Sequence, residues 1–385
     1  MQLIVFTSLY PNSVNPQHGI FIRRRLLEIQ KLADLKLRLQ VIAPVPWAPP
    51  GLAPYQHYAR IPAQEVLDGI TVHHPRYLVI PKIGMHLSPL SMAWASAQLV
   101  RTMLQQDRHS LLDAHYFYPD GVAAARLAQR FKLPLVISAR GSDINLIANN
   151  YPWARRRIQA AAQQASANIA VAEPLALAMQ ALGMPRLYTL RNGVDTSLFY
   201  PCEQVLAKTE LGLPAQVPVL CCVGNLVANK GQQHVLAALK QLPTHHLLLA
   251  GTGTQKNQLL QQAHTLGVAE RVHFLGSVPA ERLRLVYSAS DAMVLASARE
   301  GWPNVVLEAL ACGCPVIANE VGAVAQMLTH PKFGQLIHAP EEIAKAVLHL
   351  QADRAACRAQ ALNFAWEPIA QAQWSLYQDL FARHS

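Results

Sequence analysis

Apolar residues recur along this chain in two alternating rhythms. Short unbroken runs suited to buried strands are separated by longer stretches with helical spacing. In the first half, residues 3–6, 39–43, 111–117, 135–138, 169–171 and 187–190 read as strands, and 72–78, with its His-rich alternation, reads as a weaker one. Residues 20–32, 88–104, 121–131, 154–165 and 175–182 read as helices, while 44–64 is Pro-rich and reads as a long surface loop. A turn at 192–195 and a mixed segment over 196–216 lead into a second series. Its strands are expected at 219–223, 247–250, 272–275, 292–295 and 316–318, its helices near 232–242, 255–266, 280–288, 305–311 and 323–328, with a final helix over 366–382. Strands separated by helix-length segments require right-handed crossovers, so the pattern predicts two α/β domains with parallel, doubly wound sheets.

Composition narrows this picture. A chain of 385 residues is too long for one ordinary core and suits two domains, and 51% hydrophobic content is that of a globular protein. The six cysteines, at 202, 221, 222, 312, 314 and 357, have neither disulfide nor zinc spacing and read as small buried residues of a cytosolic protein. The opening MQLIVFTSLYP lacks a basic region before its short apolar run and reads as a first strand, and no apolar run approaches the length of a membrane span. Charge is asymmetric. Residues 1–195 hold 20 Lys and Arg against 10 Asp and Glu, whereas 196–385 hold 13 of each. A basic half suits nucleic acid, an anionic membrane face or a phosphorylated acceptor, and equally an ordinary solvated surface.

The richest chemistry lies in residues 291–322, DAMVLASAREGWPNVVLEALACGCPVIANEVG. A strand at 292–296 and a loop at 297–302 precede Pro303, which suits a first helical position because its missing N–H is no loss there. Gly313 and Pro315 end the helix, and 315–318 re-enters a strand. The loop and helix N-terminus of such a βαβ unit stand at the carboxyl end of a strand, the edge where doubly wound sheets bind ligands. Glu300 lies in the loop and Glu308 in the first turns of the helix. A carboxylate accepts both hydroxyls of a vicinal diol, each charge-assisted bond contributing about 1.5–3 kcal/mol. The N–H groups of Gly301, Asn304 and Val305 at the helix opening would attract an anion.

The full pattern E-G-x-P-x(4)-E-A-x-A-x-G-x-P-V, from Glu300 to Val316, resembles the donor-binding motif of the retaining GT-B glycosyltransferases of family 4. The resemblance implies that Glu300 lies against the donor sugar, that Glu308 holds the ribose hydroxyls, and that Trp302 and Pro303 belong to the same donor-binding turn. Residues 223–231, VGNLVANKG, match the family's G-R-x(4)-K-G phosphate element through Gly224, Lys230 and Gly231, but Asn225 replaces the Arg and a bidentate cation is lost. Residues 273–278, HFLGSV, resemble the turn that meets the base, with Ser277 and Val278 as candidates. The turn AGTGT at 250–254 lacks the third glycine of a dinucleotide fingerprint, which argues against a nicotinamide or flavin enzyme.

In the first domain Gly19, bare of a side chain, is expected to let a pyrophosphate approach the helix opening at Ile20. Of Arg23, Arg24 and Arg25, at most one is expected to face a ligand, the others being solvated. Residues 140–143, RGSD, resemble the family's H-G-x-D element with Arg140 in place of the His; a permanent cation is no base but stabilises charge on a leaving phosphate. His115 and Asp120 are further candidates at the same edge, and Asp143 reads as a cap.

The resemblance implies a GT-B fold, two doubly wound Rossmann-like domains facing each other across a cleft. An acceptor domain would span 1–195, with helix 366–385 packing back on it, and a nucleotide-sugar domain 196–365. It implies retaining transfer from a nucleotide diphosphate sugar to an acceptor hydroxyl, with Glu300, Lys230, Arg140 and His115 as catalytic candidates. With no Asp-x-Asp at a strand end, neither a metal nor another cofactor is expected to be required. The expected partners are the nucleotide sugar and a glycan or lipid-linked acceptor of envelope polysaccharide synthesis. The basic domain, with Arg155, Arg156 and Arg157 behind Trp153, is expected to contact the inner face of the cytoplasmic membrane, and no nucleic acid is expected. A GT-B sugar-nucleotide epimerase and a noncatalytic basic binding module remain open alternatives.

Overall fold

The computed structural model describes residues 1–33, 37–47, 53–79 and 84–384. The chain forms two compact units, residues 1–192 with 367–385, and residues 193–366. The changeover after Asn192 falls three residues before the expected boundary.

The first unit is built on an eight-stranded sheet. In spatial order its strands are Leu187–Thr189, Ala167–Ala170, Leu135–Ser138, Ser110–His115, Gln2–Phe6, Arg38–Ile42, Ile70–His73 and Gln64–Leu67. Only the last pair is antiparallel. The chain winds outwards in opposite directions from the two central strands, so the order reverses between Gln2–Phe6 and Ser110–His115, both buried along their whole length. Right-handed crossovers then send successive helices to opposite faces. Helix Ile20–Ala33 lies on one face, where Ile22, Leu26 and Ile29 share a core with Trp374, Tyr377 and Phe381 of the last helix, Trp366–Arg383. Helices Gly84–Gln106, Val122–Phe131 and Pro152–Gln164 pack side by side on the other.

The second unit holds six parallel strands in the order Val272–Gly276, His246–Ala250, Val219–Val223, Ala292–Leu295, Val316–Asn319 and Gly334–Ile337. Its order reverses between Val219–Val223 and Ala292–Leu295. Doubly wound sheets bind ligands outside the carboxyl ends of strands at such a reversal.

Three regions differ from the sequence reading. The weak strand at 72–78 is two strands, Ile70–His73 and Arg76–Leu78, parted at Pro75, whose missing N–H breaks the ladder. The Pro-rich stretch holds the strand Val45–Trp47 and the helical turn Ala53–Arg60; its residues 48–52 lie outside the described ones. The strand Gly334–Ile337 and the helices Gln204–Glu210, Glu342–Leu348 and Arg354–Leu362 had no expectation. Gly334 opens its strand at φ +145°, where a Cβ would stand 1.8 Å from the Val316 carbonyl oxygen, so the strand begins on a residue that reads as a breaker.

Trp374 ties the last helix to the first core. Trp374→Ala is expected to destabilise this unit by about 3–5 kcal/mol, read as an earlier urea transition of the first unit with the second unit's transition unmoved.

Candidate functional site

In the second unit the two loops at the strand-order reversal are locked together. After Val219–Val223 the chain turns at Gly224, passes through the helical turn Ala228–Lys230 and reaches Gly231 at φ +73°, where a Cβ would stand 2.1 Å from the Ala296 carbonyl oxygen. Only glycine allows this turn to press on the end of the neighbouring strand. The Ala298 N–H donates to the Asn229 carbonyl at 2.9 Å, and Lys230 Nζ donates to Glu300 Oε1 at 2.7 Å in a largely buried ion pair. Behind them the Ala323 N–H donates to the Gly301 carbonyl at 3.1 Å, fixing the loop that carries Glu300. Gly251 and Gly253 let the 250–254 turn lie on the first loop, since a Cβ on either would meet the carbonyl oxygens of Gly224 and Leu226.

Helix Asn304–Ala311 opens beside this pair. Pro303 is not its first residue: at ψ 95° it is extended and caps the helix from outside, and the first intrahelical bond runs from the Val306 N–H to its carbonyl. The early N–H groups, Asn304 and Val305 among them, therefore begin at the loop, as helix termini require. Glu308, half-buried one turn in, accepts from the Tyr287 hydroxyl at 2.9 Å, and burial with this carboxylate as neighbour holds that phenol well above its ordinary pKa. Trp302 is buried with its ring 5.9 Å from Phe364, packing the donor-binding turn expected to carry it against the unit. Asn225 and Ser277 are exposed and Val278 half-buried, on loops that follow their strands at the carboxyl edge. Arg299, exposed next to Glu300, is a cation at this edge that the motif reading passed over; its charge beside the motif was the available signal.

The corresponding edge of the first unit contains a closed ring of polar side chains. The Arg140 guanidinium donates to His115 Nδ1 and, at 3.1 Å, to Asn192 Oδ1, and stands over the Phe21 ring. His115 Nδ1 therefore accepts, and its proton sits on Nε2, 3.1 Å from Asp113 Oδ2 though off the hydrogen-bond axis. Asp113 accepts from the Tyr377 hydroxyl at 2.7 Å, Tyr377 from Gln373, and Gln373 from Arg25 at 2.7 Å. Arg25 closes the ring on Asn192 Oδ1 at 3.1 Å and also donates to the carbonyls of Leu190 and Arg191. Burial pushes Arg25 down to about 10 and, with Arg25 as a like charge, Arg140 down to about 9; both remain cations at neutral pH.

Several expectations change here. His115, a catalytic candidate, is fully buried with both ring nitrogens turned to its own chain, and burial pushes it down to about 4, so it is neutral and positions Arg140. Gly19, at φ +67°, is also required by the fold, because a Cβ would stand 2.1 Å from the Leu9 carbonyl oxygen. Arg25 is buried in the ring and Arg23 pairs with Asp68, so the arginine run is not a solvated stripe. Asp143 accepts from the N–H groups of Phe117, Arg140 and Gly141, pinning the turn that aims Arg140. No group of His, Cys, Asp and Glu among the described residues could hold a metal ion.

Two Rossmann-like units, each gathering cations and backbone donors at a strand-order reversal, define an α/β enzyme class that handles anionic ligands. The family described as Glycosyl transferases group 1 matches residues 206–363, and Glycosyltransferase Family 4 matches 28–198. A Bacillus subtilis protein assigned to teichuronic acid biosynthesis as a glycosyltransferase, TuaC, is 30% identical over 358 residues, covering 88% of this chain and 87% of its own. The D-inositol 3-phosphate glycosyltransferase of Segniliparus rotundus is 27% identical, covering 82% of this chain and 77% of its own. Among solved structures, sucrose-phosphate synthase from Thermosynechococcus elongatus superposes with TM-score 0.78 at 19% identity over 99% of both chains. Anabaena HepE in complex with UDP gives 0.74 at 22%, over 98% of this chain and all of its own. The chain belongs to the family 4, group 1 glycosyltransferases and has their GT-B fold. It is a glycosyltransferase, and neither the epimerase nor the noncatalytic module finds support among these relatives.

Asp120 offers a test of the first unit's edge. It is fully buried against Ser8, whose N–H and hydroxyl both donate to it, yet burial still pushes its carboxyl up to about 7. A raised carboxyl holds its proton in the folded state between the ordinary value of 3.8 and about 7, so it costs stability as pH rises through that window. Asp120→Asn, which keeps the acceptor and removes the titration, is expected to gain melting temperature over the unaltered chain as pH goes from 5 to 8. A pH-independent difference would contradict the shift.

Proposed function

We propose that the chain transfers a sugar, with retention, from a nucleoside diphosphate sugar to a hydroxyl of a cell-envelope glycan acceptor. The observation that carries this reading is the Lys230–Glu300 pair at the opening of helix Asn304–Ala311, on the strand-order reversal of the second unit. In this reading Glu308 takes the ribose hydroxyls and Glu300 the sugar. Lys230 and the backbone at the opening of helix Asn304–Ala311 receive the diphosphate, with Gly224 leaving room for close approach. Asn225 contributes a neutral hydrogen bond, and Arg299, exposed next to Glu300, adds a cation to the same sheet edge. Ser277 and Val278 line the base. HepE, solved with UDP and with UDP-glucose, supports this donor class.

In the transfer the bond from the anomeric carbon to the diphosphate oxygen breaks and the acceptor oxygen bonds to that carbon from the same face. The acceptor proton passes to the departing phosphate oxygen. Negative charge builds on the diphosphate, and Lys230 and the helix N-terminus stabilise it, so no metal or other cofactor is required. The TuaC likeness supports a polysaccharide acceptor, and the basic first half supports one that is lipid-linked, reached from the cytoplasmic side of the membrane.

Lys230→Ala and Glu308→Ala are each expected to lower transfer tenfold or more in a donor-panel assay read by mass spectrometry, since each removes a charge-assisted bond of about 1.5–3 kcal/mol. Unaltered transfer by both variants would overturn the assignment. Excess EDTA is expected to leave the rate of the unaltered enzyme unchanged, and a loss restored by a divalent cation would contradict the metal-independent reading.

A further inference from the structure

The first unit carries a surface that its fold and the transfer chemistry leave unexplained. Helix Gly84–Gln106 buries Ser88, Met92, Ser96 and Val100 against the unit, and its opposite stripe should be polar. Instead it presents Leu87, Leu90 and Trp94, with Trp94 80% exposed, the most open of the large apolar side chains among the described residues. Positions 87, 90, 94, 98 and 101 recur at helical spacing, so the apolar residues and Arg101 share one line down the helix.

The neighbouring helices set the charge of this face. Gly84–Gln106, Val122–Phe131 and Pro152–Gln164 pack side by side and contain six arginines, 101, 126, 130, 155, 156 and 157, with no Asp or Glu. Arg101, Arg126, Arg130 and Arg156 are exposed, and Trp94, Gln98, Arg101 and Arg130 line one shallow surface pocket. The Trp153 motif serves a different end. Its ring stacks on His86 at 3.7 Å, Arg157 donates to the His86 carbonyl at 2.6 Å, and Arg155 donates to the Ala148 carbonyl at 2.8 Å. Two of those three arginines therefore fasten the helices together.

We infer that this face docks on an anionic lipid bilayer, Leu87, Leu90 and Trp94 entering the headgroup boundary while Arg101, Arg126, Arg130 and Arg156 engage the lipid phosphates. Aromatic and aliphatic side chains with a basic fringe are the composition of an interfacial helix, and each arginine near such a surface contributes about 1 kcal/mol. Charge selects this occupant over a second copy of the chain. A twofold contact would set arginines against arginines with no carboxylate on these helices to answer them. No helix of the described residues is long and apolar enough to cross a membrane, so binding would be peripheral and salt-sensitive. The inference gives the lipid-linked acceptor a place to meet the enzyme, but it stands on the surface alone.

The test is co-sedimentation of the full chain with vesicles of equimolar phosphatidylglycerol and phosphatidylcholine, against phosphatidylcholine alone, at low and high salt. Binding is expected to the anionic vesicles only and to fall with salt. Arg101→Gln and Arg130→Gln should each weaken it about fivefold, and Trp94→Ser should weaken it without changing its salt dependence. Wild-type binding to neither vesicle, or binding equally tight in all three variants, would overturn the proposal. So would a dimer in sedimentation velocity that Trp94→Ser disperses, since a second copy would then cover the face. Thermal stabilisation by UDP, read on the same samples, checks that the variants are folded. Its absence beside intact vesicle binding would count against the donor reading and leave the docking face standing.

Discussion

The reversal of strand order in each sheet is the constraint on which the rest of this protein depends. Where the chain winds outwards in both directions, the loops after the two central strands diverge and leave a notch that no crossover covers. In the second unit the notch falls after Val219–Val223 and Ala292–Leu295, and in the first after Gln2–Phe6 and Ser110–His115. Polar side chains would be costly on strands buried on both faces, and Lys230, Glu300, His115 and Arg140 stand instead where those strands end.

The two edges solve the same electrostatic problem differently. In the second unit one lysine faces one glutamate, and neither is fully sealed from water, so Lys230 remains free to exchange its partner for a phosphate. The first unit instead immobilises its cations. Arg25 and Arg140 share Asn192 Oδ1, while Asp113, Tyr377 and Gln373 carry the ring to the last helix. A buried cation is costly unless hydrogen-bonded, and Arg25 is held by Gln373, Asn192 and the carbonyls of Leu190 and Arg191. The ring's effect is to hold Arg140 in one orientation at the strand-order reversal, supported below by neutral His115.

Much of this was legible in the sequence, and the exceptions have physical causes. Strands such as 219–223 and 292–295 read out at their observed bounds because burial on both faces leaves an unbroken apolar run. Lys230 and Glu300 were found because motif spacing encodes two loops at one sheet edge, although their direct ion pair was not foreseen. The packing around His115 and Gly19 was not legible, because sequence shows that a residue type suits a ligand, not which of the chain's own atoms stand beside it. Arg25 illustrates the converse. Its ring closes on Gln373 and Asn192, 348 and 167 residues away, a separation no local pattern reports. Helix Gly84–Gln106 was predicted as a helix, but being apolar on both faces it gave no sign of which face was left uncovered.

Amide hydrogen exchange of the full chain with and without saturating UDP tests most directly whether the second unit's reversal is the donor site. Slowed exchange is predicted at the amides of residues 224–231 and 301–308, where the two loops and the helix opening would close on the diphosphate and ribose. Protection confined to the first unit, or exchange unchanged at both segments despite demonstrated nucleotide binding, would contradict it.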